Sequence, residues 1–166
     1  CLGVPVFDVD ARIVDPDTFA TMDLASAEVV VLANVPTPSE ASVDRLRAHV
    51  LAGGGLLVAP GDHFDARAMV AALDDLWPAR PLDAITADVE GPRGAGAEIV
   101  PAGESGLART ITRRRIGFDD LPPGVSAPLR FGDGSPAMVI ATVGAGRVAA
   151  FATTLDDDWT DLPYQP

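Results

Sequence analysis

The spacing of apolar positions changes character twice along this chain, and each change marks a different kind of element. Residues 28–35 begin at Glu28 and continue as Val29, Val30, Val31, Leu32 and Ala33, an apolar centre without charge. Such continuity predicts a strand covered on both faces, as in a parallel sheet. Thr37-Pro38-Ser39-Glu40 then reads as a capping box, with Thr37 as the cap and Pro38 at the first helical position. Val43, Leu46, Val50 and Leu51 follow at helical spacing, Arg45, Arg47 and His49 fall toward the negative end of the dipole, and Gly53 suits a left-handed helix end. A second apolar run at 56–59 completes strand, helix and strand, a βαβ unit with a right-handed crossover.

On either side the pattern is looser. Residues 10–14 alternate briefly, and Asp15-Pro16-Asp17 signals the start of a short helix over 18–22. A second helix is expected over 65–76, with Met69, Val70, Leu73, Leu76 and Trp77 facing inward and Pro78 ending it. From 79 to 106, glycine and proline recur often enough to predict long loops, with one short strand at 98–100. Residues 109–118 alternate and carry Arg113, Arg114 and Arg115, which suits an edge strand pairing with surface acids. The last third holds three β-rich runs, 128–131, 137–143 and 147–153. Gly132-Asp133-Gly134-Ser135-Pro136 and Gly144-Ala145-Gly146 join them as hairpin turns, so a meander is expected.

Composition narrows the function classes. The 166 residues fit one domain, 1–166, with 48% apolar and 22% charged residues. No run approaches the ~20 apolar residues of a membrane span. Net charge is −12 and every basic residue is arginine, so phosphate backbones are repelled and nucleic acid is excluded as a natural partner. Cys1 is the one cysteine, which rules out an intrachain disulfide. The glycine pairs lie between β runs and precede no helix, so no dinucleotide fingerprint and no cofactor are implied. The chain opens without methionine and stops at Tyr164-Gln165-Pro166 with no closing helix, which reads as a segment of a longer polypeptide.

Residues 29–63, as strand, helix ending in Gly53-Gly54-Gly55, strand and sharp turn, resemble the class I glutamine amidotransferase-like fold. Residues 29–36, 49–61, 129–136, 143–147 and 151–163 together resemble the extracytoplasmic regions of bacterial Bat-type, aerotolerance-related membrane proteins. The Asp156-Asp157-Asp158-Trp159-Thr160-Asp161-Leu162-Pro163 ending is the most specific of these. The resemblance implies an α/β, flavodoxin-like three-layer sandwich with a mostly parallel sheet, antiparallel C-terminal strands and an incomplete edge. It also implies a neighbouring von Willebrand factor A domain, a partner within the same chain or another protein, and a place in the bacterial cell envelope. A membrane would be reached only through parts outside these residues.

The chemistry departs from that family. Amidotransferases carry a cysteine in a Gly-x-Cys-x-Gly elbow, where a strained turn exposes the nucleophile. The matching turn here is Pro60-Gly61-Asp62-His63-Phe64, with neither thiol nor hydroxyl. Asp62, His63 and Asp65 sit where open α/β sheets bind ligands and could form a ligand pocket, a metal-assisted site or an acid–base pair. Equally, an aspartate there caps the next helix and His63 is a surface residue. Asp156, Asp158 and Asp161 could bind a cation such as calcium, or form a solvated acidic turn, since Asp161 stands where a calcium loop places glycine. Trp77 and Trp159 are expected to anchor a core or seam. Together these readings predict a non-catalytic structural or interaction domain, with a metal-assisted hydrolase or amidotransferase relative using Asp62, His63 and Asp65 as the alternative.

Overall fold

A computed structural model describes residues 9–79, 99–101, 110–118 and 120–164. Helix α1 is Pro16–Phe19, β1 is Val29–Ala33, α2 is Glu40–Leu51, β2 is Gly55–Ala59 and α3 is Ala66–Leu73, continued by a 3-10 turn at Asp74–Leu76. Strands β3 (Ile99–Pro101), β4 (Ser126–Phe131), β5 (Pro136–Val143) and β6 (Gly146–Phe151) follow, and a 3-10 turn spans Leu162–Tyr164. All six strands form one sheet in the order β1-β2-β6-β5-β4-β3.

Local chemistry explains the βαβ unit. Ser39, not Thr37, caps α2, its Oγ accepting from the Ser42 amide at 3.3 Å. The cap therefore lies two residues beyond the expected one, still within the expected box. At the other end Gly53 has φ +112°, its N–H donates to the Val50 carbonyl, and the Gly54 N–H donates to the His49 carbonyl. This double bond closes the helix and turns the chain directly into β2. Arg45 reaches out of α2 to donate to the Phe19 carbonyl at 2.8 Å and the Met22 carbonyl at 2.5 Å, tying the end of α1 to the helix.

The three-layer, mostly parallel sandwich is not what the chain forms. β1–β2 and β2–β6 pair in parallel, whereas β6–β5, β5–β4 and β4–β3 are antiparallel, so the sheet is mixed. Among the described residues the helices cover one face only. Val30, Leu32, Leu56, Val58 and Val148 point to α2 and α3 and pack on Val43, Leu46, Val50, Met69 and Leu73. Ala150, opposite Val58 in the register, extends the same face to Val139, Ala137 and Phe131. The intervening positions, Val29, Val31, Leu57, Ala149 and Ile140, share the opposite face and stay half-buried or exposed. β1 thus alternates between buried and exposed positions, and the strand expected to be covered twice is covered once. A run of valines states β propensity, but not how many layers enclose it.

The remaining elements follow their patterns closely, with one exception. α1, α3 and all three meander strands lie within a few residues of expectation, and the short strand at 98–100 is β3. Of the expected edge strand 109–118, the described part, 110–118, forms no continuous strand; it has isolated bridge positions at Ile111, Thr112 and Phe118, with Thr112 bridged to Thr160. The loops expected over 79–106 lie mostly outside the described residues.

Candidate functional site

The C-terminal ends of β1, β2 and β6 converge where a mixed α/β sheet offers a crevice. β1 leaves the sheet through Asn34, held at φ +50°, a left-handed conformation that asparagine tolerates better than most residues. Its Oδ1 accepts from the His63 amide at 2.9 Å, and a Cβ on Gly61 would strike the Asn34 carboxamide. Glycine at 61 therefore lets the turn after β2 close beneath Asn34, which places Asp62 and His63 at the crevice mouth.

Asp62 is half-exposed and already partnered. One of its oxygens accepts from Arg114 at 2.6 Å and from the indole N–H of Trp159 at 2.9 Å. The Arg114 guanidinium lies 4.5 Å from the centre of the Trp159 ring, so cation, carboxylate and aromatic ring form one clamp. The Trp159 bond first and the Arg114 bond second hold the Asp62 carboxyl below its ordinary pKa, so it is charged at neutral pH. Asp65 is occupied differently. It caps α3, its Oδ1 accepting from the Ala68 amide at 2.9 Å. The His63 side chain is exposed beside Asp62. The two aspartates and the histidine are neighbours, yet each aspartate already has a structural partner.

The segment 110–118 runs across this end of the sheet. Its backbone bonds to 152–161 through Ile116 to the Ala152 carbonyl, Arg113 to the Trp159 carbonyl and the Thr153 hydroxyl to the Arg114 carbonyl. Arg115 donates to Asp133 at 2.6 Å and to the Ser135 hydroxyl at 2.9 Å while lying over the Phe131 ring. Arg115, and after it Ser135, hold the Asp133 carboxyl well below the usual carboxylate range. Two of the three arginines, Arg114 and Arg115, pair with acids, while Arg113 donates to the Asp157 main-chain carbonyl, and they do so from a strap over the sheet end and not from a strand.

The acidic C-terminal stretch is also spoken for. Asp156 accepts from the Asp158 amide at 3.2 Å, Asp161 from the Ile111 amide at 2.6 Å, and Asp157 from the Tyr164 hydroxyl at 2.7 Å. Among the described residues no three His, Cys, Asp or Glu side chains, Asp156, Asp158 and Asp161 included, are grouped to hold a metal. Backbone amides compete for these carboxylates because the segment turns tightly. Arg114, Trp159 and Asn34 are the residues that shape this site, and reading the sequence in isolated segments misses their meeting. Asn34 had a usable signal, an asparagine at a strand end facing a glycine turn.

No protein-family profile matches the chain, and no curated protein does. Solved structures do resemble it. A cytoplasmic protein of Salmonella typhimurium LT2 superposes with TM-score 0.61 at 16% identity, over 80% of this chain and 62% of that one. The β-galactosidase of Bacillus circulans sp. alkalophilus gives 0.59 at 15% identity, over 82% of this chain and 22% of the enzyme. A β-galactosidase of the Antarctic haloarchaeon Halorubrum lacusprofundi gives 0.59 at 20%, over 84% and 21%. The chain spans about a fifth of each β-galactosidase and less than two thirds of the Salmonella protein. At these identities the likeness is one of fold, shared with a part of each larger chain. These neighbours correct the amidotransferase and flavodoxin assignment and lend nothing to a von Willebrand or membrane setting. Among the described residues no helix is long and apolar enough to cross a membrane.

Proposed function

We propose that this chain is a non-catalytic structural or interaction module of a larger protein. The observation that carries the reading is the Arg114–Asp62–Trp159 clamp. A general acid, a base or a metal ligand needs a carboxylate free to meet its substrate or ion. Here the carboxylate at the sheet's ligand-binding end binds the chain's own strap, and its neighbour Asp65 closes a helix. The parent of such a module would be an envelope membrane protein of the Bat type, a setting that rests on the resemblance of residues 29–36, 49–61, 129–136, 143–147 and 151–163 alone.

The competing reading is a metal-assisted hydrolase using Asp62, His63 and Asp65. The purified chain, assayed with and without millimolar divalent cations against nitrophenyl glycosides, esters and amides, is expected to show no turnover above buffer. His63 is the discriminating position, because its exposed side chain can be removed without touching the clamp. Turnover that disappears in His63→Ala, at unchanged melting temperature, would replace this reading with the hydrolase.

A further inference from the structure

Building on the reading as an interaction module, we propose that the outer edge of β1 accepts an extended, β-branched strand flanked by basic residues, supplied by a partner polypeptide. Three observations carry this. The first is backbone parity. The Gly55 N–H donates to the Glu28 carbonyl and the Asn34 N–H to the Ala59 carbonyl, so the even-numbered residues of β1 face β2. In a parallel ladder the alternate residues face away. Val29, Val31 and Ala33 therefore present three N–H and three C=O groups to the outside, and no described residue bonds them.

The second is the contrast between the two edges of the sheet. β3, at the far edge, is three residues long and ends in Pro101, both devices that discourage strand addition. β1 has neither proline, charge nor bulge, and its Val29 and Val31 side chains are 57% and 49% exposed. Val31 continues an apolar row through Leu57, Ala149 and Ile140 on the uncovered face, whereas the row of Val29 runs through Gly55, Arg147 and Thr142. An added strand would gain backbone bonds from the edge and side-chain contacts from that row, the two sources of affinity in recognition by strand addition.

The third is charge. The segment leading into β1 carries Asp10, Asp15, Asp17, Asp23 and Glu28 against Arg12 alone, in a chain of net charge −12. Two such chains repel each other, whereas a strand with lysine or arginine flanks is attracted. The same surface chemistry that disfavours a second copy favours a basic partner.

The test uses the whole chain and two blocked nonapeptides, Lys-Lys-Val-Thr-Val-Ile-Val-Lys-Lys and the same core with glutamate flanks. Amide hydrogen exchange by NMR reads the edge directly. The lysine-flanked peptide is expected to bind one to one and slow exchange at Val29, Val31 and Ala33 at least tenfold, with Val30 and Leu32 already protected without it. The glutamate-flanked peptide should bind at least tenfold more weakly, and raising salt from 50 to 500 mM should weaken the lysine-flanked complex several-fold. Val31→Pro removes an outward N–H but none of the bonds to β2, so it should abolish binding, while Val31→Thr should keep it. Should Val31→Pro melt early, the exchange footprint of the unaltered chain still decides. Absence of protection with the lysine-flanked peptide overturns the proposal. So does equal binding of both peptides, or protection that appears without peptide and grows with chain concentration, which would assign the edge to a second copy. Enzymatic turnover would overturn the functional reading and leave this edge chemistry to be judged by its own footprint.

Discussion

Both ends of the sheet bury an apolar cluster, but only the strap end is stitched across it by arginines lying on aromatic rings and paired with aspartates. Around β1, β2 and α2 stability comes from side chains that enter one apolar core, with Leu46 and Val50 wholly buried beneath the strands. Around β4, β5 and the strap 110–118 a second apolar cluster, with Ile116, Phe118, Phe131 and Val139, is overlaid by polar and ionic stitches that join segments far apart in sequence, such as Asp62 to Arg114 and Arg115 to Asp133. β6 belongs to both, parallel to β2 on one side and antiparallel to β5 on the other. The comparison teaches that a large apolar contribution and a set of small electrostatic ones can share a single sheet, and that they should respond to different perturbations.

The strongest way to test it is to empty the core side. Leu46→Ala removes a fully buried side chain from the middle of α2 and should cost about 2–5 kcal/mol, since the strands beneath cannot collapse into the gap. Equilibrium urea unfolding measures it. A loss below about 1 kcal/mol would mean that α2 is not the keystone of that half. The strap side should respond less. Trp159→Phe keeps a ring under Arg114 but deletes the indole N–H and shrinks a buried side chain, and it should cost about 1–2 kcal/mol, one hydrogen bond plus a small cavity. Asp62 and Arg114 are 56% and 44% exposed, so a double-mutant cycle between them should give less than about 1 kcal/mol.

These two halves were unequally legible in the sequence. β1, α2, β2 and α3 announce themselves through valine runs, helical spacing of Val43, Leu46 and Val50, and a glycine at the helix end. Even there Leu51, on the same spacing, lies 50% exposed, because the helix face is narrower than its apolar stripe. The layer count was not legible, since a strand of valines looks alike whether one face or two are covered. The strap misled for another reason. Its alternation matches a strand, but its backbone bonds go to 152–161 and its arginines to acids 18 and 52 residues away, partners that no local window contains. The candidate site suffered likewise. Asp62, His63 and Asp65 were visible as a cluster, whereas what neutralises Asp62 comes from Arg114 and Trp159.

Acid should separate the halves without any mutation. Asp133 and Asp62 both have folded-state pKa values held below the ordinary value, by Arg115 and by Trp159 with Arg114 respectively. A carboxylate of this kind contributes stability above its unfolded pKa, near about 3.9, and loses it as pH falls toward the folded value. Melting temperature is therefore expected to hold from neutral pH to about 5 and to decline below it. Asp133→Asn should flatten the decline more than Asp62→Asn, because its pKa is displaced further. Leu46→Ala should lower the whole curve and leave its shape alone. If Leu46→Ala changes the acid slope as much as Asp133→Asn does, the distinction between the core under α2 and the ionic stitches of the strap fails.

The smallest effect probes the seam between strap and C-terminal segment. Thr112 is 2% exposed and bridges to Thr160, yet its hydroxyl has no hydrogen-bond partner among the described residues. Burying an unmatched hydroxyl costs free energy that a methyl of the same shape avoids. Thr112→Val should therefore be neutral or stabilising by up to about 1 kcal/mol, in contrast to Trp159→Phe a few residues across the same seam. The bridge itself uses backbone groups and β-branched side chains fit it equally well, so nothing else need change. A destabilisation of more than about 1 kcal/mol in thermal melts would show that the hydroxyl is satisfied after all, and that the strap is stitched more completely than its visible bonds account for.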